Sequence, residues 1–250
     1  MRSCNRLLLP GLLISIYLII CRFDLVGAYL VPRPEQIASA FLHMLADGSL
    51  LHHILVSFRR VYTGFIITVA TAVPLALLLY FLPKVAPYLL GTLHFLRSIP
   101  PLAMVPLLIL WFGIGEASKL SIIILASFFP VFLNTLSGLQ QVDTKLLEMG
   151  RTLELNRREQ IWSILFPEAL PTVLTGLRLA FGYSWRALIG AEMIAASSGL
   201  GYMILDAEVM ARTDKVYIGI LAIGTFGMLL DMGSMKLMQR RFPWIEPEAV

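Results

Sequence analysis

The chain has 250 residues, 58% of them hydrophobic and only 14% charged, with a formal net charge of +4 and a mean hydropathy of +0.79. Soluble domains carry about 25% charged residues, so a water-soluble globular protein is excluded and a polytopic membrane protein of about five to seven helical spans is implied. The basic residues are scattered rather than gathered on one face, which speaks against nucleic-acid binding and fits the Lys and Arg kept in cytoplasmic loops.

The first apolar run, residues 7–21, follows Arg2 and Arg6. A secretory signal begins in the same way, but no small-residue cleavage site follows, so the run reads as an uncleaved span. The two cysteines, Cys4 and Cys21, would stand about 25 Å apart on such a helix. That is beyond disulfide reach, and neither has metal-ligand neighbours. Residues 22–52 are polar and amphipathic. The stretch VPRPEQ at 31–36 reads as extended, and Ile37, Phe41, Leu42 and Leu45 recur at the spacing of a helix lying in the membrane interface.

Five further spans are expected at 54–82, 87–111, 117–139, 173–196 and 216–237. The second of these five is interrupted by Arg97 and by Pro100-Pro101, where missing proline donors break the helical ladder. Six spans put both termini on one side. The basic N-terminus, Lys84, a polar island at 143–171 and the Lys236–Arg241 tail share that side, which the positive-inside rule makes cytoplasmic. Arg59-Arg60 falls near the outer end of the span at 54–82, against the rule, and is read as snorkelling to the interface.

The island carries Lys145, Arg151, Arg157 and Arg158 among Glu148, Glu154, Glu159 and Glu168. Asp143 is placed to cap a helix from Thr144, with Leu146, Leu147, Gly150 and Leu153 on one face. Asn156 and Glu159 form a capping box for a second helix carrying Ile161, Trp162, Ile164 and Leu165. That helix is expected to stop before Pro167, and Pro171 to precede the next span. The result is two short amphipathic helices joined by a tight turn at Leu155-Asn156, either an ordinary polar loop or a docking surface.

Charges inside spans are expensive and face a cavity or a partner. Arg97, Arg186, Glu192 and Asp231 are the candidates. Arg97 and Arg186, with the broken helix at Pro100 and Pro101, could line a path for an anion. Equally, either arginine could pair with Glu192 as structural glue. Gly176, Gly182 and Gly190, then Gly219, Gly224 and Gly227, suit close helix packing. The four histidines, His43, His52, His53 and His94, lack metal-ligand spacing. The loop at 197–202, SSGLGY, offers a backbone turn for an external partner.

The island resembles the signature loop of permease subunits of bacterial ABC importers, written E-A-A, three residues, Gly, nine residues, Ile-x-Leu-Pro. Glu148-Met149-Gly150 stand at the E-A-A positions and Ile164-Leu165-Phe166-Pro167 at the Ile-x-Leu-Pro positions, with Glu154 in place of the glycine and Phe166 in place of the leucine. PRPEQIASAF (32–41), SFRRVYTGF (57–65), LRSIPPLAMVPLLILWFGIGEASK (96–119), FFPVFLNTLSGLQQVD (128–143) and GLRLAFGYSWRALIGAEMIAASSGLGYMI (176–204) extend the resemblance to nearly the whole chain and are similar to the nitrate, sulfonate and taurine permeases.

That resemblance implies one all-α transmembrane domain with the type I importer permease (MetI-like) fold, in the bacterial inner membrane, whose island forms coupling helices for a separate ATPase subunit. It implies a second permease copy, an extracytoplasmic solute-binding protein and a lipid environment as partners, and a small anion such as an alkyl sulfonate, taurine or nitrate as substrate. Related members carry thiamine- or riboflavin-precursor heterocycles. No cofactor is expected on this chain, since no G-x-x-x-x-G-K-[ST] segment is present to hold ATP. An intramembrane enzyme would need HExxH, GxSxG or paired aspartates, and none appears. A passive channel or scaffold is the remaining alternative.

Overall fold

The computed structural model describes residues 2–23, 26, 27 and 29–242, with the Cys4 side chain outside that description. Every regular element among the described residues is helical. Helix α1 (Arg2–Arg22) covers the first expected span, and α2 (Pro34–Ala46) is the expected amphipathic helix, started by Pro34 at its first position. Tyr17 on α1 donates to the Pro32 carbonyl oxygen at 2.7 Å, which ties α1 to the start of α2. Asp47 turns α2 into α3 by accepting from the Ser49 amide at 2.8 Å. Hydrogen bonds from Ser49 hold the Asp47 carboxyl below the usual carboxylate range.

Helix α3 (Ser49–Phe81) is followed by α4 (Ala86–Arg97), a 3-10 turn at Pro101–Met104 and α5 (Val105–Phe112). The axes of α4 and of the segment after it differ by 86°. This is the interrupted span expected at 87–111. The break falls where Pro100 takes an extended backbone, as two consecutive prolines require. Helix α6 (Glu116–Gln140), α9 (Phe166–Ala195) and α11 (Thr213–Arg241) cover the stretches expected at 117–139, 173–196 and 216–237, whereas α1 is not among the helices of the described residues that count as spans. Among the described residues, four helical runs are long and apolar enough to cross a membrane, and the bent α4–α5 pair makes a fifth.

The centre of the molecule is a layer of α3, α6 and α9. Ala72 and Ala76 on α3 and Ala180 on α9 are fully buried against Val131 and Phe132 of α6. Small residues on two helices let the backbones approach while the large Phe132 fills the space between them. A buried hydroxyl pair, Thr68 Oγ1 and Ser127 Oγ at 2.8 Å, crosses between α3 and α6. Gly176, Gly190, Gly219 and Gly227 seat Asn134, Leu102, Ile204 and Trp185 respectively, as expected of a packing surface. Gly182 has only the Arg186 side chain at 3.9 Å, and Gly224 faces open space.

Two elements differ from the expectation. A short helix, α10 (Leu200–Val209), follows the 196–199 loop and buries Leu200, Met203, Ile204 and Ala207. The second island helix, moreover, does not stop before Pro167. It begins as α8 (Arg157–Gln160), passes through one π turn at Ile161–Leu165 and continues as α9, a single run of 39 residues from Arg157 to Ala195. The π turn explains why Pro167 fails to end it, while Pro171 lies within α9 itself. In an α-helix the Pro167 ring would strike the carbonyl four residues back and leave it without a donor. The wide turn, closed by the Phe166 amide on the Ile161 carbonyl five residues back, displaces that carbonyl and absorbs the mismatch.

Candidate functional site

Two constructions stand at opposite ends of the 157–195 run. The first is the polar island. Helix α7 (Thr144–Thr152) begins with the Asp143 carboxylate accepting from the Lys145 amide at 2.9 Å. The Asn156 and Glu159 side chains exchange capping hydrogen bonds with each other's amides at 3.0 and 2.7 Å. Both caps are those read from the sequence, and each is worth about 1 kcal/mol. Between them the chain turns at Leu153–Leu155. The Leu155 amide donates to the Gly150 carbonyl and the Glu154 amide to the Arg151 carbonyl, both at 3.0 Å. That pair of bonds is a Schellman motif, which needs a left-handed residue between them.

Glu154 is that residue, with φ of +56°. The backbone therefore adopts the conformation a glycine favours, although a side chain stands there, at a local cost of about 1–2 kcal/mol. The turn is held from the other side by Gln160 Nε2, which donates to the Leu155 carbonyl at 2.9 Å. Gly150 is buried because a Cβ there would lie 2.7 Å from Ile164 Cδ1, so α7 rests directly on the π turn. The outer surface of this corner carries Glu148, exposed, with Met149, Leu153 and Trp162 exposed at 59%, 69% and 70%. A cleft of about 300 Å³ opens between α7 and α9, lined by Met149, Gly150, Leu153, Ile164 and Pro167 among others. Phe166 sits behind it, 4.9 Å from the Trp162 ring. Every coupling-loop residue named from the sequence thus belongs to one compact corner.

The second construction pairs residues that no sequence motif links. Glu192, near the C-terminal end of α9, is wholly enclosed, and its partner is neither Arg97 nor Arg186 but Arg60 of α3. Arg60 Nη1 donates to Glu192 Oε1 at 2.8 Å and to the Ser198 carbonyl at 2.6 Å. Ser57, one turn earlier on α3, donates to both Glu192 oxygens at 2.9 and 2.8 Å and accepts from the Leu200 amide at 2.9 Å. The Gly201 amide donates to Glu192 Oε2 at 3.0 Å. The other edge of Arg60 is bidentate to Glu116 at the start of α6, at 2.8 and 2.6 Å, and Lys119 reaches the same carboxylate at 2.9 Å.

Arg60 is only 5% exposed, so it does not snorkel, while Arg59 beside it is exposed. Consecutive residues of a helix point about 100° apart, and only Arg60 faces the centre of the layer. The 196–199 loop and the first turn of α10 fit because their glycines leave room. A Cβ on Gly199, whose φ is +116°, would collide with the Glu192 carboxylate, and one on Gly201 with the Ile189 carbonyl. His53 adds an acceptor for the Gly199 amide at 3.1 Å.

The other charges in spans are dispersed. Arg97, before the broken turn at Pro100 and Pro101, is exposed. Arg186 is exposed on α9 over the Tyr183 ring, 5.5 Å from its centroid. Asp231 pairs with Arg178 through two bonds of 2.8 Å. Among the described residues no group of three or more His, Cys, Asp or Glu side chains could hold a metal ion.

A helical layer with a broken span and a doubly capped corner on its longest run defines a polytopic membrane protein. The comparisons agree with that class. Residues 67–242 match the family of binding-protein-dependent transport system inner membrane components. Over 235 residues, spanning 94% of this chain and 85% of the relative, the chain is 39% identical to SsuC of Bacillus subtilis (strain 168), a protein named for aliphatic sulfonates transport. It is 33% identical over 239 residues to the taurine transport system permease protein TauC of Escherichia coli (strain K12), covering 94% and 87% of the two chains. The fold matches a chain of a solved amino acid ABC transporter with histidines at a TM-score of 0.67 and 16% identity, over 81% of this chain and 98% of that one.

The chain belongs to the family of inner membrane permease components of binding-protein-dependent transport systems. Its fold is the all-α, type I permease fold expected from the sequence.

Proposed function

We propose that this chain is the membrane subunit of an ATP-driven importer for a small anion, a sulfonate such as taurine or an alkyl sulfonate being favoured and nitrate belonging to the same class. The observation that carries the reading is the 143–168 corner. Two capped helices are locked by a Schellman turn onto the base of a membrane helix, with Glu148, Met149, Leu153 and Trp162 turned outward. An exposed apolar and acidic knob on a stiff mount suits insertion into a groove of an ATPase subunit, which binds and hydrolyses ATP on behalf of the permease. The corner faces the cytoplasm with both termini, the 196–201 loop faces outward toward a binding protein, and a second copy of the chain completes the pathway. The names of the sulfonate and taurine relatives support the substrate class. Arg97 and Arg186, both exposed and in no direct ion pair among the described residues, supply positive potential along the path. Glu192 is enclosed and paired, so it has no part in that potential.

The test is purification of the tagged chain together with its ATPase. Gly150→Leu, whose side chain would force α7 off Ile164, should release the ATPase while the permease remains folded. A purified permease that passes solute down a gradient with no ATPase present sinks the reading. Uptake of taurine by reconstituted Arg97→Gln and Arg186→Gln complexes tests the anion path, and unchanged uptake in both removes these residues from it.

A further inference from the structure

The enclosed cluster at the end of α9 takes no part in the docking corner or in the exposed cations. We infer that Ser57, Arg60 and Glu192 form a permanent latch that makes the 196–201 loop rigid with α3 and α9, so that a binding protein pressing on the loop moves the ATPase-docking corner at the far end of the same helix. This inference rests on the importer reading above.

Glu192 stands three residues before the end of α9. Its two oxygens accept from Ser57, Arg60 and Gly201. The loop is tied at successive points: the Ser198 carbonyl to Arg60, the Gly199 amide to His53, the Leu200 amide to Ser57 and the Gly201 amide to Glu192. No tether is a long flexible side chain reaching through solvent. Glu192 and Ser57 are fully buried, and the glycines around the carboxylate leave no gap that a side chain could fill.

A gate that opens in every cycle must expose its charges each time. A carboxylate with all its partners inside, and with another backbone closed over it, is built to stay shut. From this latch the helix runs unbroken to Arg157, roughly 50 Å of rod. At that end Gln160 and Ile164 carry the corner by direct contact. Both docking surfaces are therefore fastened to one element by short bonds, with no loose connection between them. The Arg60–Glu116 pair brings α6 into the same body.

The experiment uses the complete importer, with permease, ATPase and binding protein reconstituted in vesicles. Ser57→Ala removes the hydroxyl that links Glu192 to the Leu200 amide but leaves the Arg60–Glu192 ion pair. The complex should assemble with its basal ATPase rate unchanged, while stimulation by the loaded binding protein falls by about fivefold or more. Arg60→Lys, which cannot span Glu192, Glu116 and Ser198 together, should shift the same ratio in the same direction. Unchanged stimulation in both variants overturns the inference. So does a raised basal rate, because easier opening is the behaviour of a gate.

Should neither variant assemble, hydrogen exchange in the unmodified complex decides. Docking of the loaded binding protein should alter protection both in the loop and at residues 150–160, and a change confined to the loop refutes the latch. An unmodified complex that recruits no ATPase, or that its binding protein never stimulates, sinks the importer reading itself before any variant is compared.

Discussion

Arg60 joins two carboxylates of very different surroundings, and replacing it separates their energetic roles. In Arg60→Met the apolar stem is retained and the guanidinium is lost. Glu192, at 0% exposure, keeps only Ser57 and the Gly201 amide, and a buried charge that loses its counter-ion costs on the order of 3–5 kcal/mol. Glu116 is 59% exposed at the helix start, so it can be resolvated. Glu116→Gln therefore removes an interaction worth only about 0–1 kcal/mol. For a chain of this size 1 kcal/mol shifts the melting temperature by about 2–4 °C. Thermal unfolding in detergent, followed by tryptophan fluorescence, should thus show Arg60→Met melting roughly 6–20 °C below the parent, and Glu116→Gln within about 4 °C of it. If the two variants melt together, the cluster is not organised around the enclosed Glu192, and the assignment of its strength to burial is refuted.

Glu154→Gly should stabilise the docking corner by about 1 kcal/mol, because the left-handed position then loses its Cβ penalty. Exchange of the Leu155 amide, bonded to the Gly150 carbonyl, should slow by about fivefold, and a faster rate would contradict the strained-turn account. Gly201→Ala should destabilise by about 2–3 kcal/mol, since its Cβ meets a backbone carbonyl of α9 as well as Glu192 Cβ at 2.8 Å. A melting temperature equal to that of the parent would show that the loop can yield.

The parts legible in the sequence were those written in local chemistry. Asp143 and the Asn156–Glu159 pair announced two helix starts, and Pro100-Pro101 announced the broken span, because a cap or a missing donor acts within a few residues. The continuity of 157–195 was not legible. Pro167 and Pro171 each carry a stop signal, and nothing local reveals that a widened turn will accommodate the first or that α9 will run on through the second. The Glu192 cluster was hidden for a different reason. Its members, Ser57, Arg60, Glu116, Lys119 and Gly201, are distant in the chain, and Arg59-Arg60 reads as one dibasic unit until a helix separates the two side chains. Ser57 and Arg60 lie one turn apart, and the glycines at 199 and 201 close behind a lone acidic residue of the same span were the available hints. Helix α10 is not legible because its apolar positions, Met203, Ile204 and Ala207, sit in too short a stretch to stand out as a span.

The π turn at Ile161–Leu165 also has an evolutionary consequence. Such a turn amounts to one residue inserted into an α-helix, and one residue rotates everything upstream by about 100° and advances it by about 1.5 Å. The bearing of the corner relative to the membrane-buried face of α9 is thereby set at this turn, within the short tether that joins α6 to α7. A lineage that gained or lost a single codon there would re-aim the knob only together with the α6–α7 link packed beside it. The same slot offers engineers a dial for pairing this permease with a foreign motor.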